Sequence, residues 1–257
     1  MRFTRAIVRA PCATFADGLT SGHLGKPDLP KALQQHAVYC ATLERCGLTL
    51  TRLPPDDEFP DSTFVEDPAV LTDNLAILTR PGAPSRRGEV EGIAAALAPF
   101  YSHAARIESP ATLDGGDICQ AENHFFIGLS ARTNAEGARQ LAEILASAGF
   151  TSSIVDLRDS PTVLHLKTGM SYLADGRIVA MQEIAAHAAF EEYEVIRVVP
   201  SESYAANLLC VNDCVILADG FPQIAASVRE RGYAVIPLNM SEFRKMDGSL
   251  SCLSLRF

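Results

Sequence analysis

Cys252, His165, Asp114, Asp117, Asp61, Glu66, Asp67 and Asn207 fall in five separate stretches of the chain, yet their types suit one chemistry. Carboxylates bind a cation, a thiol attacks it, and an imidazole moves the protons that such an attack requires. Arg86 and Arg132 add forked guanidiniums suited to holding a carboxylate. Each lies between a candidate strand and a helix start, in Pro84-Ser85-Arg86-Arg87-Gly88-Glu89 and Ser130-Ala131-Arg132-Thr133-Asn134. Taken one at a time, these residues have ordinary explanations. A buried cysteine is usually inert packing, an Asp beside a turn is usually solvated, and arginines before helices are commonplace. Their weight depends on whether the fold gathers them.

An internal repeat supplies that gathering. Four polar pairs, Asp73-Asn74, Glu122-Asn123, Asp175-Gly176 and Asn212-Asp213, each separate two short β-rich runs, as tight hairpin turns do. The spacing then predicts a helix over 90–100 and a strand over 105–108 in the first unit. In the second it predicts a capping box at Thr133-Asn134-Ala135-Glu136, a helix striped by Ala138, Leu141, Ile144, Leu145 and Ala148, and a strand over 153–157. The third unit reads as helix 185–192 and strand 193–199, the fourth as helix 223–231 and strand 234–238. Residues 3–53 supply only the second half of a fifth unit: strand 3–8, helix 30–46 with Leu33, Ala37, Cys40 and Leu43 inward, and strand 48–53.

The missing half is the last stretch, where Leu253, Leu255 and Phe257 alternate with Ser254 and Arg256 as a strand with Cys252 near its start. The fold class expected is therefore α/β, a five-fold pseudo-symmetric propeller of ββαβ units whose fifth unit is closed by the N- and C-terminal segments. In such a ring the residues near each first strand meet at one end. Residues 10–30, rich in Gly, Ser and Pro, match no unit and read as a lid loop in which His23 is a candidate lid residue.

The bulk numbers restrict the function classes. A chain of 257 residues with 47% hydrophobic and 21% charged residues fits one globular catalytic domain over 1–257. The formal net charge of −9 disfavours a nucleic-acid partner and favours a cationic small molecule. Arginines interrupt the N-terminal apolar residues too often for a signal peptide, and no run approaches a membrane span, so a cytoplasmic location is expected. Seven cysteines in such a setting read as free thiols. Six of them, with His36, His103, His124 and His187, read as packing or surface residues. Cys210 and Cys214 lack the companions of a zinc site, and no metal is expected.

Several segments in order resemble the dimethylarginine dimethylaminohydrolase family, within the guanidino-group-modifying enzymes of the pentein fold. They are Asp17-Gly18-Leu19-Thr20-Ser21, Phe59-Pro60-Asp61-Ser62-Thr63-Phe64-Val65-Glu66-Asp67 and Thr79-Arg80-Pro81-Gly82-Ala83-Pro84-Ser85-Arg86-Arg87. Ala111-Thr112-Leu113-Asp114-Gly115-Gly116-Asp117, Ala131-Arg132-Thr133-Asn134 and Leu164-His165-Leu166-Lys167-Thr168 follow. Tyr204-Ala205-Ala206-Asn207 and Asp247-Gly248 leading to Ser251-Cys252 complete the series. The resemblance implies hydrolysis of Nω-methylated arginine to citrulline and a methylamine, with Cys252 as nucleophile and His165 as acid and base. It implies that Asp114, where the family has Asp or Glu, orients that histidine or holds the guanidinium. Asp61, Glu66 and Asp67 would line the cation pocket, Arg86 and Arg132 would hold the substrate carboxylate, and Leu19 and Met246 would contribute mainly backbone groups. The chemistry requires no cofactor.

An arginine deiminase runs the same chemistry on unmethylated arginine, but known ones carry an added helical domain for which this chain has no room. Agmatine lacks the carboxylate that the arginines would hold. The same ring also serves as a ribosome-binding factor, which predicts neither a reactive thiol nor a cation pocket. The preferred methylated arginine is left open, as is a homodimer.

Overall fold

The computed structural model describes residues 2–22, 24–160 and 162–257, so the candidate lid residue His23 lies outside the described residues. Five three-stranded sheets carry one shared plan. In the first, β1 (Arg5–Arg9) is followed by α1 (Leu29–Arg45) and β2 (Thr49–Leu53), which pairs parallel to β1. The second holds β3 (Ala69–Leu71), β4 (Ala76–Leu78), α2 (Glu89–Leu97) and β5 (Ala104–Arg106). The third holds β6 (Ile118–Ala121), β7 (His124–Leu129), α3 (Ala135–Ser147) and β8 (Thr151–Asp156). After the short helix α4 (Leu166–Gly169), the fourth holds β9 (Met170–Tyr172), β10 (Arg177–Met181) and β11 (Glu194–Val198). The fifth holds β12 (Leu209–Val211), β13 (Cys214–Ala218), α5 (Pro222–Glu230) and β14 (Ala234–Leu238). Each of these four hairpins pairs antiparallel, and each third strand returns parallel to the second.

The closing strand completes the plan. After α6 (Ser241–Arg244), β15 (Leu255–Arg256) pairs antiparallel with β1, Ile7 opposite Leu255 and Ala6 opposite Arg256. The Phe257 carbonyl accepts from the amides of Thr4 and Arg5 at 3.0 and 2.8 Å. The molecule is the expected five-fold α/β propeller. The central strands are apolar because they are covered on both faces: Ile7, Ile77, Ile127, Val179 and Ile216 are wholly buried.

Some local expectations give way to the packing. Cys252 precedes β15, in the single 3-10 turn Ser251–Leu253. The third helix, expected over 185–192, shrinks to the 3-10 turn Ala188–Phe190, where His187 caps the Ala189 amide. The cap of α3 is Asn134, whose side chain accepts from the Gly137 amide at 2.8 Å, because the Thr133 hydroxyl is engaged elsewhere. On α1 the inward face is Ala32, Gln35, His36, Tyr39, Cys40 and Leu43, while Leu33 and Ala37 are exposed. Gln35 is drawn in by Asn239 and Ser241, and His36 is a packing residue of the helix, against Cys40 and Phe243.

Candidate active site

A cleft of about 200 Å³ lies at one end of the ring, lined by parts of every candidate segment but two. Asp61, Asp67, Arg86, Arg132, His165, Leu19, Met246 and Cys252 meet there. Asp114 stands just behind it and Glu66 faces away.

His165 caps the start of α4, and its Nε2 faces Asp114 Oδ2 at 2.9 Å. The other oxygen of Asp114 accepts the Gly82 amide at 2.8 Å, so this wholly buried carboxylate is fixed from two sides. A carboxylate accepts only, which puts the Nε2 proton between them and leaves Nδ1 to exchange protons. Gly116 makes room for the ring: a Cβ there would stand 2.8 Å from both His165 Nδ1 and Asp67 Oδ1. Burial pushes the imidazole pKa down, but Asp67, the hydrogen bond to Asp114 and the charge of Asp117 prevail and hold it up at about 9. His165 is therefore a cation near neutral pH.

Asp67 accepts the Gly116 amide on one oxygen and the Arg86 guanidinium on the other. Against the penalty of burial, the charge of Arg86 holds Asp67 down at about 2. Arg86 itself is buried. Its Nε donates to Glu89 Oε1 at 3.0 Å, and Nη2 serves Glu89 Oε2 at 2.7 Å and the Phe64 carbonyl at 3.0 Å. With Nη1 also donating to Asp67, at most one of its five N–H groups remains for a ligand. Arg132 differs: its guanidinium has no hydrogen-bond or ion-pair partner among the described residues, and it lines the cleft. The two arginines expected to act alike are thus a buried strut and an uncommitted receptor.

Glu66 departs from expectation. Its amide donates to the Cys252 carbonyl at 3.2 Å, so the backbone passes beneath the thiol and the carboxylate points into a second cavity of about 290 Å³. There it pairs with Lys167 at 2.6 Å and Arg256 at 3.2 Å, and accepts from Ser251 Oγ at 2.7 Å. It supports the turn that carries Cys252 and does not line the cation pocket. Asn207 braces the same turn. Its side chain donates to the Lys167 carbonyl and Ser251 Oγ, and accepts the Ser251 amide at 3.0 Å, tying the histidine segment to the cysteine segment. Burial, with Glu66 and Asp67, pushes the Cys252 thiol up to about 12.

The lid loop is anchored at its base, where Phe15 is buried against Phe64 and Phe243. Among its described residues, Leu19, Thr20 and Ser21 at the tip line the cleft. The Leu19 amide donates to both oxygens of Asp61 at 3.1 Å, and Asp247 accepts the Ser21 amide and hydroxyl at 2.6 and 2.9 Å. Asp247 does so from a left-handed backbone, φ 56°. Burial raises the Asp61 pKa, with Arg86 and the Leu19 amide opposing. Met246 is buried in the cleft wall.

Sequence reasoning passed over Glu89 and Asp247. The i,i+3 spacing of Arg86 and Glu89 was a usable signal for the first; the second stands in a segment that carries the family resemblance but was given no role there. Among the described residues, Asp67, Asp114 and His165 bring one ligand-type atom each within 4.8 Å of one another. Arg86 and two backbone amides already occupy those carboxylates. No described helix is long and apolar enough to cross a membrane.

Comparison with known proteins fits this geometry. Residues 57–203 match the family model described as arginine deiminase. The chain is 48% identical over 256 residues to the N(G),N(G)-dimethylarginine dimethylaminohydrolase of Pseudomonas aeruginosa, covering 99% of this chain and all of that one. The solved structure of a cysteine-to-serine mutant of the Pseudomonas aeruginosa enzyme complexed with citrulline superposes with a TM-score of 0.97, at 48% identity and full coverage of both chains. A dimethylarginine dimethylaminohydrolase adduct with S-methyl-L-thiocitrulline, also 48% identical, gives 0.96 over 99% of this chain and all of that one. This chain belongs to the dimethylarginine dimethylaminohydrolase family.

Proposed function

We infer that the chain hydrolyses Nω-methylated arginine to citrulline and a methylamine through a covalent intermediate on Cys252. The observation that carries this reading is a thiol sharing one cleft with His165 and Asp67, with Asp114 hydrogen-bonded to the imidazole from behind. A guanidinium is a poor electrophile because resonance spreads its charge, so it must be held in place before it can be attacked. Asp67 supplies the anion that holds it, with Arg86 keeping that carboxylate charged. Arg132 takes the amino-acid carboxylate, helped by the remaining N–H of Arg86. Asp61, fixed by Leu19, lines the side beneath the lid, and Leu19 and Met246 shape the ends of the pocket.

Chemistry begins when the sulfur of Cys252, as thiolate, bonds to the guanidinium carbon. His165 gives its proton to the methylated nitrogen, and the C–N bond breaks as the amine departs. The now neutral imidazole takes a proton from water, whose oxygen bonds to the same carbon. Collapse breaks the C–S bond and restores the thiolate, and loss of the remaining hydroxyl proton to solvent leaves the ureido group of citrulline. Asp114 stabilises the imidazolium before the first transfer and after the second.

The test is citrulline formation from asymmetric dimethylarginine, monomethylarginine and arginine, assayed separately with wild type and Cys252→Ser. Methylated substrates should turn over and the variant should be inactive. Turnover of arginine alone would move the chain to the deiminase reaction, and activity surviving the substitution would remove Cys252 as nucleophile.

A further inference from the structure

Asp117 is wholly buried, and the chemistry above leaves it unused. Its Oδ1 accepts the amide of Leu166, the residue after His165, at 2.9 Å. Its Oδ2 accepts the hydroxyls of Thr133 at 2.6 Å and Ser130 at 2.7 Å. Thr133 Oγ1 in turn accepts the Asp114 amide at 3.1 Å. Because Asp114 Oδ2 meets the His165 ring, these bonds close a circuit: ring, Asp114, Thr133, Asp117, the Leu166 amide and back to His165.

The circuit has a required direction. Thr133 accepts from a backbone amide, so its single proton must go to residue 117, which receives three donors and gives none. Only a carboxylate meets that demand on both oxygens. A carboxylate serving merely to cap α4 would need the Leu166 amide alone; this one also fixes the backbone of the residue that faces the imidazole. We propose that Asp117 is a positioning residue, which sets the orientation of the His165 ring against Asp114 and lends it negative charge.

This rests on the reading of His165 as acid and base. The charged or titratable groups around the ring are Asp114 and Asp117 from the segment before β6, Asp67 from the segment before β3 with Arg86 behind it, and Cys252, Asp61 and Arg132 elsewhere in the cleft. Burial raises Asp117 itself to about 6, so near neutral pH it is the ionised form that acts on His165.

Asp117→Asn keeps the volume and replaces one acceptor oxygen by a donor. It should lower kcat by about 10–100-fold, the loss seen when the hydrogen-bond partner that orients a metal-bound histidine is removed, with KM within about threefold. Removing the charge should also shift the NMR titration of the His165 ring to lower pH, in enzyme without substrate. Should that variant not fold, Thr133 decides: Thr133→Ser, which keeps the hydroxyl, should retain kcat, whereas Thr133→Val should lose it in the same sense. An unmoved His165 titration, or equal kcat for the two Thr133 variants, overturns the role of Asp117. A wild type that forms no citrulline overturns the reading of function instead, since the titration is read without turnover.

Discussion

Asp67 and Arg86 form a buried ion pair at the floor of the cleft, and Glu89 closes over the other side of the same guanidinium. Arg86→Ala would leave two buried carboxylates facing each other unpaired. Breaking such a pair costs about 3–5 kcal/mol. The variant should melt well below wild type as well as lose activity, and a thermal melt beside a kinetic assay checks both.

Arg132→Ala should behave differently, because that guanidinium supports nothing else among the described residues. Loss of a charge-assisted hydrogen bond to the substrate carboxylate costs about 1.5–3 kcal/mol, or roughly 10–150-fold in KM. The melting temperature should hold within about a degree or two. A large drop in stability would show that Arg132 is a strut like Arg86.

Stability should depend on pH through two buried groups of opposite sign. His165 is raised from 6.5 to about 9, so its contribution is fully present below pH 6.5 and is lost as pH rises through 9. Asp67 is lowered from 3.8 to about 2, so its contribution is fully present above pH 3.8 and is lost as pH falls through 2. Melting temperatures measured from pH 6 to 10 should fall, and His165→Gln should flatten that slope. Parallel slopes would place the titrating group elsewhere.

The thiol makes a separate prediction. Burial and the carboxylates hold Cys252 near 12, and a bound guanidinium should cancel part of that charge and draw the pKa down. Alkylation of Cys252 followed against pH, with and without an unreactive arginine analogue, should show the reactive thiolate at lower pH when the analogue is bound. Identical profiles would sink the idea of substrate-assisted activation.

Deleting residues 253–257 should cost stability and activity together. It removes β15 from the edge of β1 and Arg256 from Glu66, and Glu66 holds Ser251 beside the nucleophile. A deletion that melted and turned over like wild type would separate closure of the ring from placement of the thiol.

What could be read from the sequence follows from what the repeat encodes. Hairpin turns such as Asp175-Gly176, both with positive φ, are local signals, and they disclosed the ring and hence the neighbourhood of Cys252, His165 and Asp114. Side-chain direction is not local. Glu66 and Asp67 are adjacent in the turn ahead of β3, yet Asp67 reaches the cleft while Glu66 faces the second cavity. On α1, apolar spacing chose Leu33 and Ala37, whereas hydrogen bonds to Asn239 and Ser241 turn Gln35 inward instead. The third helix had only alanines and one phenylalanine to bury, too little for more than a turn. The circuit through Asp117 depends on contacts across 49 residues, which no spacing rule reports.

The bonds between Phe257 and the amides of Thr4 and Arg5 make the first and last strands neighbours in space. A short flexible linker could join them, and the ring could be reopened at the Asp175-Gly176 turn, outside both the cleft and its lid. Such a circular permutant should fold and keep its catalytic constants, because the order in which the five units are synthesised is independent of the order in which they touch.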